Sequence, residues 1–141
     1  SNAFEYLYEC KTDFRIFVKK YNKGLWLVMH SVTESFRKKY NSNHEYAGHP
    51  IPLAMSDVEG GNVFGNRTDD FYTIHRMTQH ESRWIYTELH CKKIKDHDLG
   101  CKPTPFDSPL ILESIKNNVG YKLGDKDIHR PNIIEQLKMP F

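Results

Sequence analysis

Four features are missing from the chain, and each absence removes a class of protein. No G-x-x-x-x-G-K-[ST] loop is present, so the chain lacks the usual cradle for the phosphates of a nucleotide. No apolar run approaches the roughly 18 residues of a membrane span, and no signal peptide is recognisable. The three cysteines have no C-x-x-C spacing, which favours reduced thiols in a cytoplasmic protein over a disulfide framework.

The chain also lacks a large excess of either charge. The chain carries 20 Lys and Arg against 18 Asp and Glu, a net charge of +2 with its 8 His neutral. This balance does not require nucleic acid as a partner, so any basic surface must be local. With 141 residues, 38% hydrophobic and 13% aromatic content, the chain is long enough and apolar enough for one modest domain with a core.

The local patterns divide the chain into three parts. Residues 1–3 resemble an expression-tag remnant, which predicts that the natural chain begins earlier and that this is a fragment. Residues 4–123 hold the patterned segments of one domain. Residues 124–141 are predicted to be a tail with a short helix that starts after Pro131.

A helix and a buried strand open the domain. Apolar residues at every third or fourth position predict a helix over residues 4–21, and Gly24 provides the stop. The uncharged run 25–29 is typical of a central strand in a parallel sheet. The sequence therefore predicts an α/β fold, with a mostly parallel sheet, flanking helices and a closing antiparallel hairpin.

The pattern fades between residues 31 and 66 into a long loop, and loops of this length are usually functional or disordered. Its cations Arg37, Lys38 and Lys39 either neutralise phosphates of single-stranded DNA or form an ordinary solvated charge run. Tyr40 could add base stacking. Further strands are predicted at 71–77, 83–95, 110–112 and 119–123.

Taken in order, these segments resemble the carboxyl-terminal part of the RecA-like motor domain of DnaB-type and Twinkle-type replicative DNA helicases, including phage primase-helicases. The resemblance covers nearly all of residues 4–123. His30 matches a Gln or His that ends a strand in the family, and Gly60, Gly61 and Asp70 match a Gly turn with an acidic residue. Lys93 and Lys95 match a basic pair, which Gly100 follows. Residues 110–123 match the closing hairpin. Two departures are Lys95, where the family usually has Arg, and the absent Walker A and Walker B segments.

The resemblance implies a fragment of a RecA-like P-loop NTPase fold from an ATP-dependent DNA helicase or primase-helicase. It assigns His30 as a phosphate sensor and Lys93 and Lys95 as a basic finger that stabilises charge on a phosphate. It also assigns Arg76 to nucleotide contact, and Arg37, Lys38 and Lys39 to DNA binding. Each assignment has a plainer alternative. His30 could be a strand-end histidine bonded to a backbone group, and Lys93 and Lys95 could form a solvated basic sheet edge. Arg76 could pair with a nearby carboxylate at the surface.

The same resemblance implies the partners. ATP and Mg belong to the intact parent, and the chain alone is expected to hold no cofactor and to hydrolyse no ATP. The expected partners are single-stranded DNA and, in the parent, other subunits of a homo-oligomeric ring, with no membrane. No metal is expected, because His90, Cys91, His97 and Cys101 match no standard zinc spacing.

A second hypothesis comes from a different class of protein. The chain could be a complete small interaction module without catalysis, such as an immunity or adaptor protein, whose strands and basic loop bind a partner. The natural reading frame discriminates between the two, because only a motor needs a Walker A loop and an acidic Walker B strand upstream.

Overall fold

The structure is a computed structural model that describes residues 2–32, 38–98, 102–115 and 120–128. Its elements are helix α1 (Ala3–Tyr21), a 3₁₀ helix (Met55–Asp57), helix α2 (Asn62–Arg67), and strands β1 (Asp70–His75), β2 (Tyr86–Ile94), β3 (Leu110–Ser114), β4 (Tyr121–Leu123) and β5 (Lys126–Asp127). The strands lie in sequence order, and each pairs antiparallel with the next.

The predicted α/β fold, with the mostly parallel sheet and flanking helices of a RecA-like P-loop NTPase, is therefore wrong. The described chain forms a five-stranded antiparallel sheet with one main helix, and its strands follow one another as a meander. Residues 25–29, predicted to be the central parallel strand, are outside every described strand. Trp26 is 81% exposed and Val28 is 95% exposed. Apolar side chains favour burial, but a strand also needs a neighbour to pair with. No strand in the described part of the chain pairs with this run.

The predicted positions of the elements fare better than their arrangement. The helix at residues 4–21 is confirmed as α1, and the strands predicted at 71–77, 83–95, 110–112 and 119–123 correspond to β1 to β4. Strand β5 lies in the segment predicted to be a tail. The helix predicted after Pro131 lies outside the described residues.

Helix α1 has well-formed ends. Asn2 accepts a hydrogen bond from the backbone N–H of Glu5 at 2.9 Å, and the Glu5 carboxylate accepts one from the backbone N–H of Asn2 at 3.2 Å. This capping box satisfies two donors at the helix start. At the other end Asn22, rather than the predicted Gly24, takes the left-handed conformation, with φ of 47°. Asn is one of the few residues with a side chain that tolerates this conformation.

A buried lysine joins α1 to α2. Lys11 is 3% exposed, its Nζ donates a hydrogen bond to the carbonyl of Phe64 at 2.6 Å, and it lies 4.1 Å from the centre of the Phe64 ring. The chain enters α2 through Gly60, where φ is 82° and a Cβ would meet the Phe64 ring at 2.6 Å. A side chain at residue 60 would therefore displace the ring on which Lys11 rests.

Replacing Lys11 should remove a pH dependence of stability. Burial, aided by the charges of Arg67 and Lys93, lowers the pKa of Lys11 to about 8. The unfolded chain then binds more protons than the folded one between about pH 8 and pH 10.5, so stability rises with pH across that range. We expect a gain of about 2 kcal/mol in unfolding free energy from pH 7 to pH 9.5.

Urea unfolding at the two pH values measures this gain in the wild-type chain and in Lys11→Met. The methionine retains the length of the side chain without its charge, so its curve should lack the Lys11 contribution. Equal pH dependence in both proteins would contradict the assignment. The difference between the two proteins cancels the contributions of tyrosines that titrate at higher pH.

Candidate functional site

The antiparallel register gathers polar side chains on one face of the sheet. His75 is opposite Glu88, and Thr73 is opposite His90, so all four side chains point to the same side of strands β1 and β2. All four are buried, and His90 is only 1% exposed. A small sheet ordinarily buries apolar residues on such a face, so these buried polar side chains mark a candidate functional site.

Glu88 is the centre of this polar cluster. One of its carboxylate oxygens accepts a hydrogen bond from Arg83 Nη2 at 2.8 Å, and the other is 3.1 Å from Nε2 of His90. Burial acts to raise the pKa of Glu88, but the hydrogen bonds from His90 and Arg83 outweigh it and hold the pKa below its usual value. Glu88 is therefore a carboxylate at neutral pH, paired on both oxygens.

The histidines of the cluster keep unpaired ring nitrogens. The His75 and His90 rings are 6.4 Å apart, and Nε2 of His75 and Nδ1 of His90 are buried without a hydrogen-bond partner. Burial lowers the pKa of His75, so this imidazole is neutral at pH 7. A buried nitrogen without a partner costs free energy, and a ligand or an ordered water would recover part of it.

A loop over residues 38–51 covers one end of the polar cluster. The backbone of Tyr40 donates to His49 O at 2.9 Å and accepts from Gly48 N at 3.1 Å, and Ile51 N donates to Lys38 O at 3.1 Å. The loop is joined to the β1–β2 connection by ring contacts of His80 with Tyr46 and with His49, at 5.6 Å and 4.8 Å. Its shape is therefore set by its own hydrogen bonds and by that connection.

A cavity of about 300 Å³ opens between this loop and residues 106 and 107. It is lined by Lys39, Tyr40, Asn41, His44, Ile51, Phe106 and Asp107. The Tyr40 and His44 rings stack at 4.1 Å with planes 17° apart, and Phe106 lies 6.4 Å from Tyr40. Phe106 also lies 6.4 Å from His90, so the cavity borders the polar cluster. Burial, followed by the charges of Glu88 and Asp107, raises the pKa of Tyr40 to about 12, and its hydroxyl stays protonated.

The two predicted finger residues have different environments. Lys93 Nζ donates to the carbonyls of Gly65 at 2.9 Å and Thr68 at 2.8 Å, at the carboxyl end of α2. A cation there complements the helix dipole, so Lys93 has a structural role in this fold. Lys95 Nζ lies 3.0 Å from Asp69, and both side chains are mostly exposed. Of the pair, Lys95 is the cation free to reach another molecule.

The other predicted site residues are separated. The carbonyl of His30 accepts from Glu59 N at 3.2 Å, beside the exposed run rather than at the end of a paired strand. Arg76 donates to Trp84 O at 3.1 Å across the β1–β2 connection. Lys38 is paired with Asp57, and Lys39 lines the cavity. Arg37 lies outside the described residues.

Sequence reasoning missed the polar cluster and the cavity. One signal was available, because Glu88 and His90 alternate with apolar residues and therefore share one face of a strand. Arg83, Phe106 and Asp107 had no such signal, since the fold brings them to the site from separate connections. Tyr40 and His44 are four residues apart in the loop, and their rings stack because the loop turns between them.

A metal cluster and a membrane-spanning helix are both absent from the described residues. Within residues 2–32, 38–98, 102–115 and 120–128, no group of three or more His, Cys, Asp or Glu side chains is arranged to hold a metal ion. In the same part of the chain, no helix combines the length and apolarity needed to cross a membrane.

Comparisons of the chain with protein-family models, with curated proteins and with solved structures find no match.

Proposed function

We propose that the chain is the carboxyl-terminal part of an ATP-dependent DNA helicase or primase-helicase, and that another part of the parent protein packs on it. The observation that carries the packing of another part is a set of large hydrophobes that the described residues leave exposed. They are Phe14, Phe17 and Tyr21 of α1 and residues 25–28. A concentration of exposed apolar side chains in successive segments of the chain is typical of an interface.

The distribution of buried and exposed side chains around helix α1 supports an interface on this surface. Lys11 is the only buried residue of the helix, and it faces α2. The apolar side chains at three- and four-residue spacing lie on another stripe of the same helix, which has no apolar layer over it in the described chain. A helix with an apolar stripe is stable when that stripe is covered, so the parent is expected to supply the cover.

Residues 25–28 support the proposal in a second way. The segment is extended, apolar and outside the described strands, so it offers backbone groups as well as side chains to a partner. Trp26 stacks on Tyr72 of β1 at 5.9 Å, which holds the segment beside the sheet. The segment leads into His30, the predicted phosphate sensor. A covering part that carries the phosphate-binding loop would bring nucleotide close to this residue.

Charge substitutions at Trp26 and Val28 test the proposal. In the isolated chain, Val28→Asp should change the unfolding free energy by no more than about 0.5 kcal/mol, because its side chain is exposed. Trp26→Glu also removes the stack on Tyr72 and should cost about 1 kcal/mol. In the parent, expressed with the coding sequence that precedes this segment, the same changes should abolish folding or DNA-stimulated ATP hydrolysis. Leu123→Asp, on an exposed residue of β4, is the matched control and should be tolerated in both proteins.

The outcome separates this proposal from the interaction-module hypothesis, which the same apolar surface also favours. A parent with a Walker A loop that hydrolyses ATP in response to single-stranded DNA supports the motor. A natural chain that starts close to residue 4, hydrolyses no ATP, and loses a protein partner in Val28→Asp would replace it with the module. A parent that keeps full ATPase activity with charges at both positions would remove the observation that carries the proposal.

A further inference from the structure

We infer that the cavity between the 38–51 loop and Phe106 is a base-binding site for single-stranded DNA, and that it favours guanine. The inference rests on the proposed function for its ligand class and goes beyond it in naming a site, a base and the residues that read it. The cavity combines aromatic walls, a carboxylate and a cation within about 300 Å³.

The aromatic walls suit a planar ligand. Phe106 is about half exposed, at 47%, and its ring lies 6.4 Å from Tyr40, tilted by 60°, with Lys92 Nζ 5.3 Å from its centre. Proteins that hold single-stranded nucleic acid stack bases on exposed aromatic rings of this kind, because every base has a π face. Phe106 is the accessible platform, while the Tyr40 ring is largely committed to its neighbour.

The polar lining selects among bases. Asp107 offers two acceptor oxygens, and the Watson–Crick edge of guanine is the base edge with adjacent N1–H and N2–H donors. Thymine presents acceptors on either side of a single donor and would leave a carboxylate oxygen facing a carbonyl. Lys39 lines the same cavity and supplies a cation for the adjoining phosphate.

The site is held in shape before a ligand arrives. His44 Nδ1 accepts a hydrogen bond from Tyr46 N at 3.1 Å, which fixes the ring of His44 within the loop. Thr104 Oγ1 accepts from Cys91 N at 2.9 Å and so anchors the segment before Phe106 to strand β2. Arg83 lies 5.4 Å from the Tyr46 ring and also binds Glu88, so the buried polar cluster supports the loop. A preformed site loses little conformational entropy on binding.

Fluorescence anisotropy with labelled 12-nucleotide DNA tests the inference on the 141-residue chain. One probe is all thymine, and the other carries guanine at every third position. Wild-type protein should bind the guanine probe more tightly. Phe106→Leu should weaken binding of the guanine probe about 5- to 100-fold. Asp107→Asn should abolish most of the preference for guanine while binding of the thymine probe is retained.

Two further variants make the result decisive. Phe4→Leu removes an exposed aromatic ring from α1, outside the cavity, and should bind both probes as the wild type does. Asp107 is exposed, so Asp107→Asn should fold even if Phe106→Leu does not. Equal affinity for the two probes, or wild-type affinity in both cavity variants, would overturn the site. Neither result would touch the proposed function, which is judged by ATP hydrolysis of the parent.

Discussion

Replacing Lys95 with Ala in the parent protein should, under the proposed function, reduce DNA-stimulated ATP hydrolysis on the order of 10²–10³-fold, with little change in nucleotide affinity. Among the described residues, the ammonium of Lys95 pairs with Asp69, at 3.0 Å, and such solvent-exposed pairs contribute little stability. A cation that reaches a phosphate across a subunit boundary acts on charge that develops in the transition state. An arginine finger contributes on the order of 10³–10⁵ in rate, and lysine should give less because it lacks the planar fork.

Single-turnover hydrolysis and nucleotide binding measure the two quantities separately. Lys95→Arg should retain or raise the rate. Lys122→Ala is the matched control, because Lys122 is also a sheet lysine in an ion pair, 3.2 Å from Glu113, and should leave the rate unchanged. Unchanged hydrolysis in Lys95→Ala would return Lys95 to the role of a solvated sheet edge.

Lys93 should behave differently from Lys95. Its contacts at the carboxyl end of α2 predict that Lys93→Ala lowers the unfolding free energy of the isolated chain, by about 2 kcal/mol. A double variant would mix the two effects, so the lysines need to be changed one at a time.

The largest stability loss is expected for Glu88→Gln, at about 3–5 kcal/mol in unfolding free energy. The substitution retains the shape of the side chain but leaves Arg83 without its counter-charge in a largely buried position. Removing one partner of a buried pair is costly because the remaining charge stays desolvated. Glu113→Gln, which breaks the exposed pair with Lys122, is the matched control and should cost no more than about 1 kcal/mol.

The cost of Glu88→Gln should also depend on pH. Because the pKa of Glu88 is lower in the folded chain than its ordinary value of 4.5, its stabilising contribution is present above that value. The contribution is lost as pH falls through the folded pKa. Urea unfolding from pH 7 down to pH 3 should therefore show the wild type and the variant converging. A constant difference over that range, or a difference below about 1 kcal/mol at pH 7, would contradict the role of Glu88.

The polar cluster shows why local patterns locate elements better than sites. Alternation along β2 assigns Glu88 and His90 to one face, because successive side chains of a strand point to opposite sides. Nothing in that alternation indicates that His75 faces Glu88 across the sheet. That neighbour depends on the register of β1 with β2, including the irregularity between Phe71 and Tyr72, and register is a property of the pairing.

The wrong sheet direction has a related cause. A helix followed by a Gly turn and an apolar run is typical of one half of a βαβ unit, but the second half requires a parallel neighbour. The described chain supplies only antiparallel neighbours, and the connection between β1 and β2, residues 76–85, is too short for a helical crossover. The apolar run that predicts a buried strand is instead exposed among the described residues, with Val28 at 95%.

The sequence by itself determined where α1 and strands β1 to β4 lie, since helical and strand periodicities are local and need only the residues within a turn or a pair of positions. It also determined that α1 has an apolar stripe. Only the tertiary structure decided that the sheet is an antiparallel meander, that Lys93 is bound to the end of α2 while Lys95 is exposed, and that Tyr40, Phe106 and Asp107 share a cavity. These are contacts between residues far apart in the chain, and they depend on which segments pair and pack together.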